Sequence, residues 1–235
     1  MNTNINVSRR AIHYILLQRT GYQTPLLAKL LRHLPSCPGH FLVSLEAFIR
    51  NQYIVSRFQS GILGDFNSIK DSLPGNASLI LDIGCGVAGI DVLLSRHYSQ
   101  PQPPQIYLSD YEETSSVIKY DFSRSPAKYN SLKIAKTLLV QNAVPKETIR
   151  LIDPNKLSSL SHNLSFDLVI STLAWGFHFP VTEYLDTVYE LLSDTGVLIL
   201  DVRQSTTGIK ELQSKFQNVK ILVEDEVKAR VLAIK

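Results

Sequence analysis

The chain has 235 residues, of which 44% are hydrophobic and 19% charged, and its formal net charge is +3. These values exclude an intrinsically disordered chain and leave room for one sizeable domain, or for one domain with a helical addition. Two cysteines, Cys37 and Cys85, cannot build a disulfide framework or a zinc site without many other partners, and no apolar run has transmembrane length.

The first residues, MNTNINVSRR, are polar rather than signal-like. The sequence therefore predicts a soluble, cytoplasmic protein in a reducing compartment, with no membrane partner. Its charge is unevenly spread. Residues 1–60 hold Arg9, Arg10, Arg19, Lys29, Arg32, Arg50 and Arg57 against the single acid Glu46. This asymmetry points to an anionic substrate or to nucleic acid, and a solvated helical surface would produce the same pattern.

Residues 1–75 read as a helical segment. Leu26, Leu27, Leu30, Leu31 and Leu34 recur at helical spacing, as do Phe41, Leu42, Leu45, Phe48 and Ile49. Breaks are expected at Gly21, at Thr24-Pro25 and in the PSCPG run from Pro35 to Gly39. The helices are amphipathic, so their apolar faces are expected to pack. The LPGN turn at Leu73–Asn76 divides this segment, a lid or substrate-binding piece, from a second domain over residues 76–235.

Beyond the turn, apolar runs alternate with helical patterns. Strands are expected at Leu79–Ile83, Ile106–Leu108, Ile149–Ile152, Leu168–Ile170 and Val197–Val202, with helices at Gly89–Tyr98, Ser131–Asn142 and Val181–Leu192. That alternation predicts an α/β fold with a parallel sheet covered on both faces. The final stretch, NVKILVEDEVKARVLAIK, holds two apolar runs too close together for a crossover helix, so it predicts an antiparallel hairpin. The expected architecture is a seven-stranded, mostly parallel sheet that closes with this hairpin.

The first strand runs into Gly84, Gly86 and Gly89, in G-x-G-x-x-G spacing, at the head of a helix. Glycines there let the turn tighten and let backbone amides approach a ligand. The helix N-terminus suits a pyrophosphate or a carboxylate. Asp82, two residues before the first glycine, would repel pyrophosphate but can receive an ammonium group. Asp110 ends the second strand, where an acid accepts ribose hydroxyls. Asp153 ends the third, where it can accept from the exocyclic amine of adenine. Capping of turns is the competing use of Asp110 and Asp153.

With these residues in place, Leu79–Lys235 resembles a class I S-adenosylmethionine (SAM)-dependent methyltransferase. The matching pieces are LDIGCGVAG, YLSD, LID, FDLVIST and LLSDTGVLILDVR, in the family's order, followed by its terminal hairpin. The resemblance implies methyl transfer from SAM, leaving S-adenosyl-L-homocysteine. It implies cofactor contacts from Asp82, Gly84, Cys85, Gly86, Gly89, Asp110, Tyr111, Asp153 and Ser171.

In such enzymes the acceptor is set by the N-terminal helices and by residues after the fourth strand, here STLAWGFHFP. This stretch lacks the Asp/Asn-Pro-Pro-Tyr pattern of nitrogen methylation and the acid cluster of metal-dependent enzymes, so no metal is expected. His178 lies in an aromatic loop and is the candidate general base. Trp175 and Phe177 are candidates for the acceptor wall. Arg203 can hold an acidic acceptor or pair with Asp201. A looser resemblance, through WGFHFP and GVAGIDVLLSRHY, is to bacterial sugar O-methyltransferases, and it implies a hydroxyl acceptor. The expected partner is a small-molecule acceptor, sugar-like or anionic. An RNA methyltransferase that grips RNA with the basic helices is an alternative, but there is no dense Lys/Arg run and no RNA-binding module. A non-catalytic SAM-binding protein is another.

Overall fold

A computed structural model describes residues 3–33, 36–112, 130–160 and 164–235, apart from the side chains of Ser36 and Cys37. Leu34, Pro35 and the Cys37 side chain, which figure in the sequence reading, lie outside the described residues.

The N-terminal segment forms four helices: α1 (Arg9–Gln18), α2 (Pro25–Leu31), α3 (Ser36–Ile49) and α4 (Asn51–Ile69). The hydroxyl of Ser8 caps α1 by accepting from the Ala11 amide. Thr24 caps α2, with Pro25 in the first turn, where a missing N–H costs nothing. Thr24 also hydrogen-bonds both oxygens of Glu46, through its amide and its hydroxyl, each at 2.8 Å. Arg50 pairs with the same carboxylate. The lone acid of the first 60 residues thus ties α2 to α3.

Two expectations for this segment change. The PSCPG run does not separate two helices along its whole length, because α3 begins at Ser36 and carries Pro38 in its first turn. The apolar face of α3 is also not packed inward. It buries Val43 and Ala47 against α1 while Phe41, Leu45, Phe48 and Ile49 stay exposed. The small Val43 and Ala47 take the inward positions, and Phe48 lies at the edge of the contact, under the Arg9 guanidinium of α1.

The sheet contains β1 (Leu79–Ile83), β2 (Gln105–Ser109), β3 (Ile149–Ile152), β4 (Phe166–Ser171), β6 (Leu192–Arg203), β7 (Asn218–Glu224) and β8 (Lys228–Ile234). Their order is β3-β2-β1-β4-β6-β8-β7. The first five pair in parallel, and β8 runs antiparallel to both β6 and β7. This is the mostly parallel seven-stranded sheet with a terminal antiparallel hairpin that the sequence predicts. Two details differ. The strand expected at Val197–Val202 begins at Leu192, with SDTG as a bulge inside β6, where the register with β4 shifts between Phe166 and Leu168. The aromatic stretch after β4 is not a loop but an extended strand, β5 (Ala174–Phe179), which lies against β6 outside the order of the seven.

The two faces follow from strand alternation. Ile80 of β1, Ile170 of β4 and Ile199 of β6 face one hydrophobic core, shared with α1, α4, α5 (Gly89–His97) and α6 (Leu132–Gln141). Leu81, Val169 and Leu198 face the other, with α7 (Leu185–Leu191) and α8 (Gly208–Lys215). The first core runs without interruption from Ile5 through Ile69 to Ile199, so the helical segment and the sheet bury one another. Among the described residues no helix is long and apolar enough to cross a membrane.

One ionic cluster fastens α4 to the sheet. Arg230 of β8 donates to both oxygens of the fully buried Asp201 on β6, at 2.7 and 2.8 Å, and to Asp65 and Ser68 of α4, at 3.0 and 2.7 Å. Lys228 adds a third donor to Asp201 at 2.8 Å. Burial opposes the charge of Asp201, but the hydrogen bonds and charge of Arg230, with Lys228, hold its carboxyl below the usual range. Its stabilisation is therefore complete above about pH 4 and is lost as the pH falls through the depressed value. Arg230→Ala leaves Asp201 buried with only Lys228 opposite, and is expected to destabilise the protein by about 3–5 kcal/mol in urea unfolding. An unchanged midpoint would show that the cluster contributes nothing net.

Candidate functional site

The glycine loop between β1 and α5 is anchored by the end of β2. The Gly84 and Cys85 amides donate to the Ser109 carbonyl, at 2.7 and 3.3 Å. The Gly86 amide donates to Asp110 Oδ2 at 2.9 Å, and the Tyr111 amide to Oδ1 at 2.7 Å. Gly84 and Gly86 have φ of 74° and 54°, the left-handed region in which a Cβ is strained. Ala88 (φ 62°) and Leu173 (φ 57°) share that region without being glycine, one in this loop and one just after β4. Backbone strain of this kind collects at binding sites. Gly89 has a different reason to be glycine. A Cβ there would sit 2.4 Å from the Phe58 ring of α4, so its absence lets α4 pack on the head of α5.

Asp82 shares a face of β1 with Ile80, and α5 covers that face. Asp91, in the first turn of α5, therefore meets it. Both side chains are buried, and Asp82 Oδ1 and both Asp91 oxygens have no hydrogen-bond partner. Burial raises the Asp82 carboxyl well above the usual range, and the charge of the adjacent Asp91 carboxyl raises it further, as does Asp110. Burial also raises Asp91, and its contacts with Asp82 and with its own amide offset only part of this. Two carboxyls in one apolar pocket hold a proton between them. Asp110 is pushed up to about 6 by burial, despite the amides of Gly86 and Tyr111. Burial, then the nearby Asp110, Asp82 and Asp91, keeps the Cys85 thiol protonated. A pocket of this charge invites a cation.

The other residues singled out from the sequence fall into three groups. Asp110, Tyr111, Phe177 and His178 lie around the C-terminal ends of the strands. Tyr111 reaches across to the segment after β4, with its hydroxyl 3.4 Å from that of Tyr184 and its ring 6.2 Å from that of Phe179. His178 is exposed, packs edge-on to Phe177, and is held below its usual pKa by desolvation and by Arg203. The Arg203 guanidinium lies 5.0 Å over the Phe177 ring, while Asp201 is taken by Arg230 and Lys228.

Asp153 has one oxygen committed. Its Oδ1 accepts from the amide and the side chain of Asn155, both at 3.0 Å, and so caps the short turn of residues 154–159. In the third group, the chain uses the side chain internally. The buried Ser171 hydroxyl donates to the Ile83 carbonyl at 2.6 Å and accepts from the Trp175 amide at 3.0 Å. Trp175 is not an open wall: it is 1% exposed, and its indole N–H donates to the Val181 carbonyl at 3.0 Å. It belongs to the core under α7.

Three residues at the site escape the sequence reading. Asp91 is one, although an acid inside the apolar run GIDVLLS is a visible anomaly. Gln18, at the end of α1, lies over Gly86 and hydrogen-bonds Asn130 at 3.2 Å. Asn130, nearly buried, also approaches the Cys85 sulfur at 4.0 Å. Neither carries a sequence signal, because the approach of α1 to the loop is tertiary. Among the described residues no group of three or more His, Cys, Asp or Glu side chains is placed to hold a metal ion.

The fold has parallels among solved structures. The precorrin-6y C5,15-methyltransferase of Geobacter metallireducens superposes with a TM-score of 0.50 at 16% identity, over 75% of this chain and 88% of that one. The 16S rRNA N2 G1207 methyltransferase of T. thermophilus, solved with AdoMet and guanosine, gives 0.53 at 14% identity, over 74% and 43%. The chain has the fold of the class I SAM-dependent methyltransferases. Its central sheet and terminal hairpin are those of that fold. An O-methyltransferase of Streptomyces achromogenes involved in tomaymycin synthesis, solved with SAM, aligns at 0.47 and 14% identity, over 67% and 73%. No protein-family model and no curated protein matches the chain.

The acid pair makes a prediction for the free protein. A carboxyl whose folded pKa is raised favours folding most at low pH, and that advantage is lost as the pH rises from about 4 through the raised value. Asp91→Asn removes the Asp91 share of this loss and eases that of Asp82. It is expected to stabilise the ligand-free protein at pH 8 by roughly 2 kcal/mol and to flatten its stability between pH 4 and 8. Denaturant titrations across that range give the answer, and a wild-type-like pH profile in the variant would contradict the shared-proton arrangement.

Proposed function

We propose that the chain binds SAM at the glycine loop and methylates a hydroxyl of a small-molecule acceptor. The observation that carries this reading is the buried Asp82 carboxyl at the head of the loop, with Oδ1 unpartnered. An ammonium group satisfies it, and a pyrophosphate does not. SAM, when bound, supplies a methyl group on a positively charged sulfur, open to in-line attack by a nucleophile.

The fit extends to the neighbouring residues. Asp110 holds the Gly86 amide with one lone pair of Oδ2, and its remaining lone pairs can accept from ribose hydroxyls. Asp153 Oδ2 takes no part in the cap and is the atom left for an adenine amine. His178, neutral at pH 7 and exposed, is the residue to take the proton from an acceptor hydroxyl. Phe177 and Arg203 frame the same side. Residues 1–75 then serve as the acceptor wall, with α1 laid over the loop.

A small acceptor suits the placement of the basic residues better than RNA does. Arg19 pairs with Asp65 at 3.6 Å, Arg50 with Glu46, and Arg57 stacks on Tyr22. These side chains are engaged within the fold at separate points rather than forming one open stripe.

Calorimetric titration with SAM tests the cofactor half. Asp82→Asn and Asp110→Ala are each expected to weaken SAM binding at least tenfold while the variants stay folded, and unchanged affinity in both would overturn the assignment. SAM affinity should also fall below about pH 6 as Asp110 takes a proton. For the transfer half, labelled SAM incubated with a cell extract identifies the methylated product by mass. With that acceptor, His178→Ala should lower kcat by about 10²–10⁴-fold at unchanged SAM affinity. Wild-type turnover would remove His178 from the reaction.

A further inference from the structure

A cavity of about 610 Å³ opens between α1, the C-terminal half of α3 and the start of α6. That volume is in the range of small-molecule sites. Its polar wall is cationic, with Arg9 and Arg10 from α1 and Lys133 from α6, and among the described residues none of those lining it is acidic. Its apolar wall comes from Tyr14, Phe48 and Ile134, and the Arg9 guanidinium sits 5.6 Å over the Phe48 ring. Glu112 hydrogen-bonds Ser131 at the rim, but both its oxygens are engaged at the head of α6, with the Ser131 hydroxyl at 2.8 Å and the Leu132 amide at 2.6 Å.

His13 lines the cavity without adding charge. The Ser44 hydroxyl donates to the His40 carbonyl at 2.9 Å, so its 3.0 Å contact with His13 Nδ1 has the imidazole N–H as donor. Burial and the neighbouring His40 lower the His13 pKa to about 4, and the ring is neutral at pH 7. The positive potential of the cavity therefore rests on Arg9, Arg10 and Lys133.

The cavity also leads toward the glycine loop. Arg10, Tyr14 and Gln18 are spaced four residues apart, on one face of α1. Tyr14 borders the cavity, and Gln18, about 6 Å further along the axis, covers Gly86. On the opposite wall, Ser131 borders the cavity and Asn130 precedes it. The Gln18–Asn130 hydrogen bond is thus the partition between cavity and loop.

We propose that this cavity binds the anionic group, a phosphate or a carboxylate, of an acceptor with an aromatic or apolar body, with Arg9, Arg10 and Lys133 as its cations. The assignment of that ligand as the acceptor rests on the methyltransferase reading above; the anion site itself does not. Guanidinium groups pair bidentately with either anion, and the Phe48 and Tyr14 rings take the body. Point variants are the proper test, because residues 1–75 share their core with the sheet and their removal would unfold it.

The experiment titrates the full-length protein by calorimetry with phenyl phosphate, benzoate, inorganic phosphate and benzyl alcohol, and separately with SAM. Phenyl phosphate or benzoate should bind saturably and at least tenfold more tightly than benzyl alcohol, and the stronger of the two identifies the anion. The Arg9→Ala/Lys133→Ala double variant should lose at least tenfold of that affinity, keep its SAM affinity, and show a weaker dependence on salt. Phe48→Ala should weaken phenyl phosphate or benzoate more than inorganic phosphate. Absence of saturable binding to folded wild type at millimolar ligand would overturn the proposal. So would a double variant that binds as wild type does, or benzyl alcohol binding equally well. If SAM fails to bind while the anions behave as described, the cofactor reading falls and the anion site stands. If SAM binds and the anions do not, the reverse holds.

Discussion

Asp82 and Asp91 face each other inside the protein, one at the end of a central strand and one in the first turn of the next helix, and among the described residues no cation closes the pair. Burying carboxyls this way costs several kcal/mol when they are charged, and the pair answers by keeping a proton. The arrangement around it is over-determined. Strand alternation puts Asp82 on the α5 side, Phe58 against Gly89 fixes where α5 begins, and Asp110 with the Ser109 carbonyl pins the loop between them. The contrast with Asp201 shows what the chain does when an acid serves structure alone. There Arg230 and Lys228 supply the positive charge, and the carboxyl is pulled down rather than pushed up. An acid pair left without such partners, in a loop held this rigidly, has the form of a site completed by a ligand.

Most of the sheet was legible because each strand is a short, nearly continuous apolar run, as burial on both faces requires. The hairpin was legible from the few residues between its strands. What was not legible depends on which elements meet. WGFHFP alternates in the manner of a strand, yet reads as a loop until β6 is seen lying beside it. Trp175 and Ser171 stand where acceptor and cofactor contacts were expected, but β5 turns the indole inward and the serine hydroxyl is consumed by the Ile83 carbonyl and the Trp175 amide. For α3 the periodicity was right and the direction wrong. The same spacing offers a face of Phe and Leu or a face of Val and Ala, and close approach to α1 selected the second.

The site divides the same way. The acids at the strand ends stand out because open α/β sheets bind ligands there. Asp153 shows the limit of that rule, since one of its oxygens does what a cap does and only the other remains for a ligand. Asp91 could have been noticed as a charge within an apolar run, but its pairing with Asp82 needed the helix placed over the strand. Gln18 and Asn130 had no such signal. Each is an ordinary amide whose importance comes from lying between α1, α6 and the glycine loop.

The placement of Gln18 and Asn130 gives the uneven charge of the sequence a spatial form. On one side of their hydrogen bond lie Asp82, Asp91 and Asp110, three carboxyls at the loop; on the other lie Arg9, Arg10 and Lys133, three cations around a cavity. Opposite fields on the two sides of that bond sort two ligands of opposite charge into separate places. A cation is drawn to the acids and held off the basic wall, and an anion is drawn the other way. For a reaction that brings a positively charged donor against an acceptor bearing an anionic group, this separation fixes orientation before any close contact is made, and it keeps either ligand from occupying the other's place. Net charge, at +3, gives no sign of this separation. Arg9 and Arg10 bring part of the basic excess of the first 60 residues to the wall of that cavity.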